Sequence, residues 1–342
     1  MNQPLTRAAA LAVTYLVLAS CRDTSTEPEM AQVETPAPAV ASNTWITRAN
    51  MPGTERIGLT TAVVPNASGR SILYAIGGRS ISTGGSLAKV QAYNVATNTW
   101  SSRASLPISV FWTNGAGVVN GKIYISGGET RDKFFRRESF MYDPATDKWT
   151  RKRDMPDDTW GGVTSVLGGK LYVLTCDDED DCYTELEPLR LYRYDPATDQ
   201  WTFLSFSLPV LGRPMAGFIG GKLYAAGDAG VRGEGNAFQV YDPATNQWTR
   251  KTPPPQPRWS GAGVALGGKL YVIGGFKRDP DGTIRRVRSM SAYDPATDKW
   301  STRAALPSQR PELAASRVVV NGQPRIAVVG GARPGNNLQY IP

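Results

Sequence analysis

The sequence predicts an all-β fold, a six-bladed propeller built from four-stranded antiparallel blades. Three observations carry that expectation. An eight-residue Tyr…Trp motif returns at nearly constant spacing, short apolar runs joined by two-residue glycine turns lie between the copies, and a stray half-motif stands ahead of the first complete repeat. Repeats of about 50 residues belong to propellers and solenoids and are read before any smaller motif.

The motif is Tyr142-Asp-Pro-Ala-Thr-Asp-Lys-Trp149. It returns at Tyr194–Trp201, Tyr241–Trp248 and Tyr293–Trp300, with a degenerate copy at Tyr93–Trp100, so the tryptophans are spaced 47–52 residues apart. Asp-Pro makes a turn, because Pro presets φ and the acidic side chain caps the turn backbone. The Tyr therefore ends a third strand and the Trp opens a fourth. Upstream, each repeat begins with an apolar run such as Gly263–Leu266. A tight turn follows, at Asn120-Gly121, Gly168-Gly169, Gly220-Gly221, Gly267-Gly268 and Asn321-Gly322. These dipeptides supply the positive φ a two-residue hairpin needs. The second runs, Ile123–Ser126, Leu171–Leu174, Leu223–Ala226 and Leu270–Ile273, are β-branched and aromatic and read as strands. Several end in a glycine pair: Gly77-Gly78, Gly127-Gly128, Gly274-Gly275 and Gly330-Gly331. Thr175-Cys176 and Gly227-Asp228 stand in that place in blades three and four.

Five motifs finish five blades. The segment Ala314–Ile341 has two apolar runs and ends in Asn337-Leu-Gln-Tyr340 without a Trp strand, while Asn43-Thr-Trp45-Ile-Thr-Arg48 is a Trp strand without a blade. The simplest closure lets the N-terminal strand complete blade six, which covers edges that would otherwise invite aggregation; seven blades is the alternative. Four strands per repeat, the glycine doublet and the Tyr…Trp pair together resemble the kelch motif over about residues 43–342. That resemblance implies that the loop leading into each first strand and the loop after each second strand emerge on one face. It also implies arginines in the lead-in loops around the mouth of a central channel.

On that basis the candidate ligand-binding residues are Arg56, Trp112, Trp160, Arg213, Arg258, Trp259 and Arg310. Guanidinium groups bind carboxylate, sulfate or phosphate, and indole faces stack on sugars or cations. The competing reading is that these side chains fill the mouth and pair with neighbouring backbone. The longer loops are charged in blocks: Arg131, Lys133, Arg136 and Arg137 around Phe134 and Phe135, and Lys277, Arg278, Arg285, Arg286 and Arg288 in blade five. The exposed phenylalanines among arginines suit a protein contact. The acidic run from Asp177 to Glu187 lacks EF-hand spacing and reads as solvated, so no metal or cofactor is expected.

Two classes of function follow. The favoured one is a binding module for a glycan, peptide or protein partner at the cell envelope, expected as a monomer and without nucleic acid. The alternatives are an envelope-complex component or a sugar-active enzyme resembling sialic-acid mutarotase, with Asp228 and Arg232, or Glu129 and Arg131, as candidate catalytic pairs. The chain has no histidine. This removes His-dependent triads and argues against a copper oxidase of the galactose oxidase type.

The N-terminus reads as an export signal. Arg7 precedes a short apolar run, Ala8–Ala19, which is too short to span a bilayer. Leu18-Ala19-Ser20-Cys21 resembles a bacterial lipobox, which implies a signal peptide of residues 1–20 and lipidation at Cys21, with an outer-membrane or surface address. Residues 21–42 are rich in Thr, Pro, Glu and Ala and read as a tether. Cys176 and Cys182 remain as an even pair, and an oxidising compartment permits a disulfide between them. The net charge of +8 fits solubility, and also anionic partners.

Overall fold

The computed structural model describes residues 42–53, 55–177, 188–208, 211–228, 238–331 and 337–342, with backbone alone at Asp177, Leu211, Gly212 and Asp228. Cys21, Cys182 and Arg232 lie outside the described residues. The architecture is all-β: six antiparallel four-stranded sheets, plus two short ribbons, Arg56–Ile57 with Arg79–Ser80 and Phe276–Arg278 with Ile284–Arg286. Blades one to five each run outward in sequence order. Blade one, for example, is Thr60–Pro65, Ser71–Ile76, Val90–Asn94 and Thr99–Arg103. The inner strands are Thr60–Pro65, Ala116–Val119, Thr159–Leu167, Leu211–Ile219, Ala262–Leu266 and Leu313–Val320. Each packs against the inner strands of both neighbours, and blade six packs against blade one, so the ring is closed.

Blade six is shared between the chain ends, as the sequence predicts. Thr44–Arg48 pairs antiparallel with Asn337–Ile341 and sets Trp45 opposite Tyr340. This reproduces the Tyr–Trp pairing of the contiguous motifs, such as Tyr142 opposite Trp149 and Tyr293 opposite Trp300.

The motif works as a staple between blades. Each Tyr hydroxyl donates to the Asx side chain two residues before the Trp: Tyr93 to Asn98 (2.7 Å), Tyr142 to Asp147 (2.5 Å), Tyr241 to Asn246 (2.7 Å) and Tyr293 to Asp298 (2.5 Å). At the seam Tyr340 donates to Asn43 over 2.8 Å. These Asx residues hold φ of 53–58°, a left-handed conformation that Asn and Asp tolerate. At most of them the carboxylate or amide oxygen also accepts a backbone N–H from the preceding blade, for instance Ala104 N–H to Asp147 and Ala304 N–H to Asn43, both 2.9 Å, whereas the Asn246 amide donates to the Leu204 carbonyl (3.1 Å). The Trp indole donates to the same stretch: Trp149 to the Ala104 carbonyl (2.9 Å) and Trp45 to the Ala304 carbonyl (2.8 Å). The first Asp of the motif caps its own turn by accepting the Ala145 N–H, and forms an ion pair with Lys122 at the start of the second strand.

The glycine doublets serve a second seam. The second glycine donates to a carbonyl in the lead-in loop of the next blade: Gly78 to Val110 (2.9 Å), Gly128 to Thr159 (2.9 Å), Gly275 to Arg310 (3.3 Å) and Gly331 to Arg56 (3.2 Å). A Cβ on Gly77 would stand 2.5 Å from the Val110 oxygen, so only glycine permits the approach. Blades three and four lack the doublet, and there the first two strands continue pairing to the end of the ring. Thr159 sits opposite Asp177 and Leu211 opposite Asp228, past bulges at Trp160/Val163 and Leu211/Met215.

Candidate functional site: the channel mouth

Lead-in loops and post-second-strand loops do share one end of the ring. Arg56 pairs with Ser80, Phe111 with Glu129 and Trp259 with Phe276, each joining the two loop types of one blade. At the entry to each inner strand one residue contributes to the mouth: Gly58, Trp112, Arg213, Ser260 and Glu312 line the central cavity, and Gly161 lies under Arg213. Backbone bonds link five of the six neighbouring pairs around the ring. Gly58 donates to the Glu312 carbonyl (3.1 Å), Trp112 to Gly58 (2.8 Å), Gly161 to Trp112 (2.8 Å), Ser260 to Arg213 (3.3 Å) and Glu312 to Ser260 (2.8 Å). Trp112, Ser260 and Glu312 adopt left-handed φ of 48–56° to do so. That conformation costs a non-glycine residue of order 1–3 kcal/mol and persists where the surrounding structure holds it.

Large side chains meet over this hoop. The Trp112 indole lies across Gly58, where a Cβ would come within 2.3 Å of Cδ1. Arg213 lies across Gly161 in the same way and stacks its guanidinium 4.2 Å from the Trp112 ring centroid. Its Nε donates to the Ser260 hydroxyl (3.0 Å) and its Nη2 to the Glu312 carboxylate (2.9 Å). Blades two, four, five and six thus converge on one guanidinium. A cavity of about 440 Å³ adjoins this cluster, lined largely by Gly, Ala, Ser and Thr of the inner strands.

Glu129 borders the cluster. Burial pushes its carboxyl up to about 7, opposed by the positive charges of Arg79 and Arg213 and reinforced by Glu312. An aromatic row runs outward from the mouth: Phe111, Trp112, Trp160 and Phe135, with successive centroids 4.9, 5.6 and 5.9 Å apart. Phe134 beside it is exposed.

The sequence-predicted residues divide accordingly. Trp112 and Arg213 are at the mouth, and Trp160 is half-buried in the aromatic row. Arg56 and Arg258 are instead interior braces, 1% and 0% exposed. Arg56 donates to the Gly77 carbonyl (2.7 Å), the Lys89 carbonyl (2.9 Å) and Gln91 (2.7 Å). Arg258 donates to Ser289 and to Ser291 (3.0 Å). Burial lowers both guanidiniums to about 10, still charged at neutral pH. Arg310 is buried too and donates to Ser308 (3.2 Å) and the Gly330 carbonyl (3.4 Å). Trp259 is buried against Phe276 beneath Arg278. The resemblance placed the arginine at the mouth, but the side chain two residues later is the one that reaches the axis. Ser260 and Glu312 were missed for that reason. Glu129 is brought to Arg79 and Arg213, while Arg131 points to solvent. The Asp228 side chain lies outside the described residues, as does Arg232.

Comparison with known proteins agrees with the geometry. The family model described as "Kelch motif" matches residues 114–156 and 260–307. This chain is a kelch-repeat propeller. Similar curated proteins include Kelch-like protein terF of Aspergillus terreus, 30% identical over 265 residues, which are 71% of this chain and 54% of that protein. Kelch-like protein 23 of Homo sapiens is 26% identical over 261 residues, covering 75% of this chain and 43% of that protein. The kelch chain therefore spans about half the length of these relatives. Among solved structures, that of YjhT superposes with a TM-score of 0.65 at 17% identity, covering 84% of this chain and 94% of that one, a likeness of fold.

Proposed function

We propose that this kelch propeller is a binding module, held at the bacterial envelope by lipid on Cys21, which engages a protein or peptide partner through its channel-mouth face. One observation carries the reading: side chains from four blades converge at the mouth on strained backbone, over a cavity of about 440 Å³, with an aromatic row leading outward. Kelch relatives make a protein partner the natural class. The lipobox-like Leu18–Cys21 and the tether after it support the envelope address, and a Cys176–Cys182 disulfide would suit the same compartment. The test is cross-linking of the full chain to an envelope extract with mass spectrometry of the cross-linked residues. The reading expects contacts on the 131–137 and 276–288 loops, lost in Trp112→Ala; contacts confined to the outer strands or the opposite face refute it. Metabolic palmitate labelling that persists in Cys21→Ser refutes the anchor.

A second reading rests on Glu129. A carboxyl that titrates about 7 beside Arg79 and Arg213 is the equipment of a proton relay on an acidic sugar. Unchanged anomeric exchange of sialic acid in the presence of the protein excludes it.

A further inference from the structure

The outermost strand of each blade is hydrogen-bonded on one side only, so the ring carries six equivalent open edges on its rim. Such edges template pairing with another chain and are ordinarily blunted by charge. Five of the six follow that rule. The third residue after the Trp is Arg48, Arg103, Lys152, Lys251 and Arg303 in blades six, one, two, four and five, and Arg151 and Arg250 add a second cation in blades two and four. Blade three has Leu204 at that place and Phe203 before it, and the run from Gln200 to Pro209 holds no charged residue. Its outer strand, Gln200–Phe206, is seven residues long against four or five in the other blades.

The same strand carries an apolar platform. In a regular pleat Phe203 and Phe206, three residues apart, would point to opposite faces. A bulge opposite Leu191 and Tyr192 inserts one extra residue and puts both on the same face, with ring centroids 5.0 Å apart. Leu204 and Ser205 turn the other way. Leu204 packs into the core shared with blade four, and the Ser205 hydroxyl accepts the Trp248 indole N–H (3.1 Å). Phe203 rests on the buried Tyr192 ring at 5.6 Å, and the Arg190 guanidinium covers one side of Phe206 at 5.4 Å. The two phenylalanines nevertheless remain 44% and 49% exposed.

We propose that the outer strand of blade three pairs antiparallel with the same strand of a second copy of this chain, joining two four-stranded blades into one eight-stranded sheet. Charge selects this occupant. Two copies of a chain with a net charge of +8 meet with cations opposed at each of the other edges, whereas the blade-three edge meets itself with no like charges facing. A two-fold axis perpendicular to the blade makes the strands antiparallel and keeps both phenylalanine pairs on one face, where they pack across the junction. A seven-residue edge with four half-exposed rings is a small interface, below about 1,200 Å², so the dimer is of micromolar strength. The pairing departs from the monomer expected of the sequence. It lies on the rim, leaves the channel mouth open and stands independently of the binding-module reading.

The test is sedimentation equilibrium of the full chain over about 1–100 μM, with the fold of each variant checked by circular dichroism and urea midpoint. Phe203→Lys, at an exposed position, gives the strand a cation like those of the other blades and is expected to weaken the dimer at least about tenfold. Thr202→Lys, also exposed, should do the same and carries the test if the first variant fails to fold. Thr47→Lys adds an identical charge on the exposed side of the blade-six strand and should leave association unchanged. Amide hydrogen exchange at residues 200–206 should slow as protein concentration rises. A monomer throughout that range, a dimer that Phe203→Lys and Thr202→Lys leave intact, or one that Thr47→Lys weakens equally overturns the proposal. Protection of residues 200–206 by an envelope protein on a chain that stays monomeric would give the edge to a different partner and overturn the second copy as its occupant.

Discussion

Trp45 lies near one end of the folded region, where a strand would ordinarily fray at little cost. Here it holds the ring shut, and replacing it should be expensive. Trp45→Ala removes the indole bond to the Ala304 carbonyl, a ring contact with Tyr340 at 5.2 Å, and the packing of a part-buried indole on the core formed by blades five and six. The hydrogen bond contributes about 1 kcal/mol, the aromatic pair about 1 kcal/mol, and half-burial of the ring about a further 1 kcal/mol, for a total of about 3 kcal/mol. Against a total stability of roughly 5–15 kcal/mol this is a large share. Trp100→Ala in blade one is the matched control, because its Tyr partner is in the same contiguous motif while the contacts are of the same kind: the Ala49 carbonyl of the preceding blade at 2.9 Å and Tyr93 at 5.0 Å. Urea unfolding of the full chain, followed by circular dichroism, should give similar losses for both. A double-mutant cycle of Asn43→Ala with Tyr340→Phe should show about 1 kcal/mol of coupling between residues 297 apart in sequence. A Trp45→Ala loss below about 0.5 kcal/mol, typical of an unimportant surface change, would refute the closure argument.

Four further outcomes are expected. Arg258→Met should destabilise by about 2 kcal/mol, because it removes the guanidinium bonds to Ser289 and leaves the buried Ser291 hydroxyl without its donor; retention of the parent urea midpoint would contradict the brace role. Gly58→Ala should destabilise and disturb the near-ultraviolet dichroism of Trp112, since its φ is +60° and a Cβ would meet the indole; an unchanged spectrum counts against the packing of Trp112 on Gly58. The Glu129 carboxyl is raised in the fold, so the folded state binds its proton more tightly than the unfolded chain. Its contribution to stability is therefore complete below about pH 4.5 and is lost as pH rises towards about 7. Glu129→Gln should remove that descending limb from the pH–stability difference, and identical profiles for parent and variant would show that the carboxyl titrates normally. Arg213→Ala should free Trp112 from its cation and lower the melting temperature modestly, and tryptophan fluorescence that does not respond would place the guanidinium elsewhere.

The relation of sequence to structure differs between scaffold and site. The turn between the Tyr strand and the Trp strand was legible because each copy is local and five copies expose the rule, whereas the Tyr–Asx bond and the bonds to the preceding blade came from the structure. The sixth was legible by subtraction, from Asn43-x-Trp45 at one end and Tyr340 at the other. The strand extension in blades three and four accompanies the loss of the glycine doublet at Thr175-Cys176 and Gly227-Asp228, a departure visible in the sequence whose structural consequence was not.

The mouth was only half legible. Arg56, Arg258 and Arg310 share a sequence position, and a sequence alone does not say whether a guanidinium turns into the blade or towards the axis. The fold decides it, because each of these arginines finds carbonyls or hydroxyls of its own blade within reach. The residue two positions later takes a left-handed turn, or in blade four sits in a bulge before Pro214, and swings to the axis. Gly58, Trp112, Gly161, Arg213, Ser260 and Glu312 have no chemistry in common, so no pattern links them, and only ring closure brings Arg213 to Glu312 across 99 residues. Local hydrogen-bonding rules wrote the six blades into the sequence, whereas the site arises from side chains that meet only when those blades close into a ring.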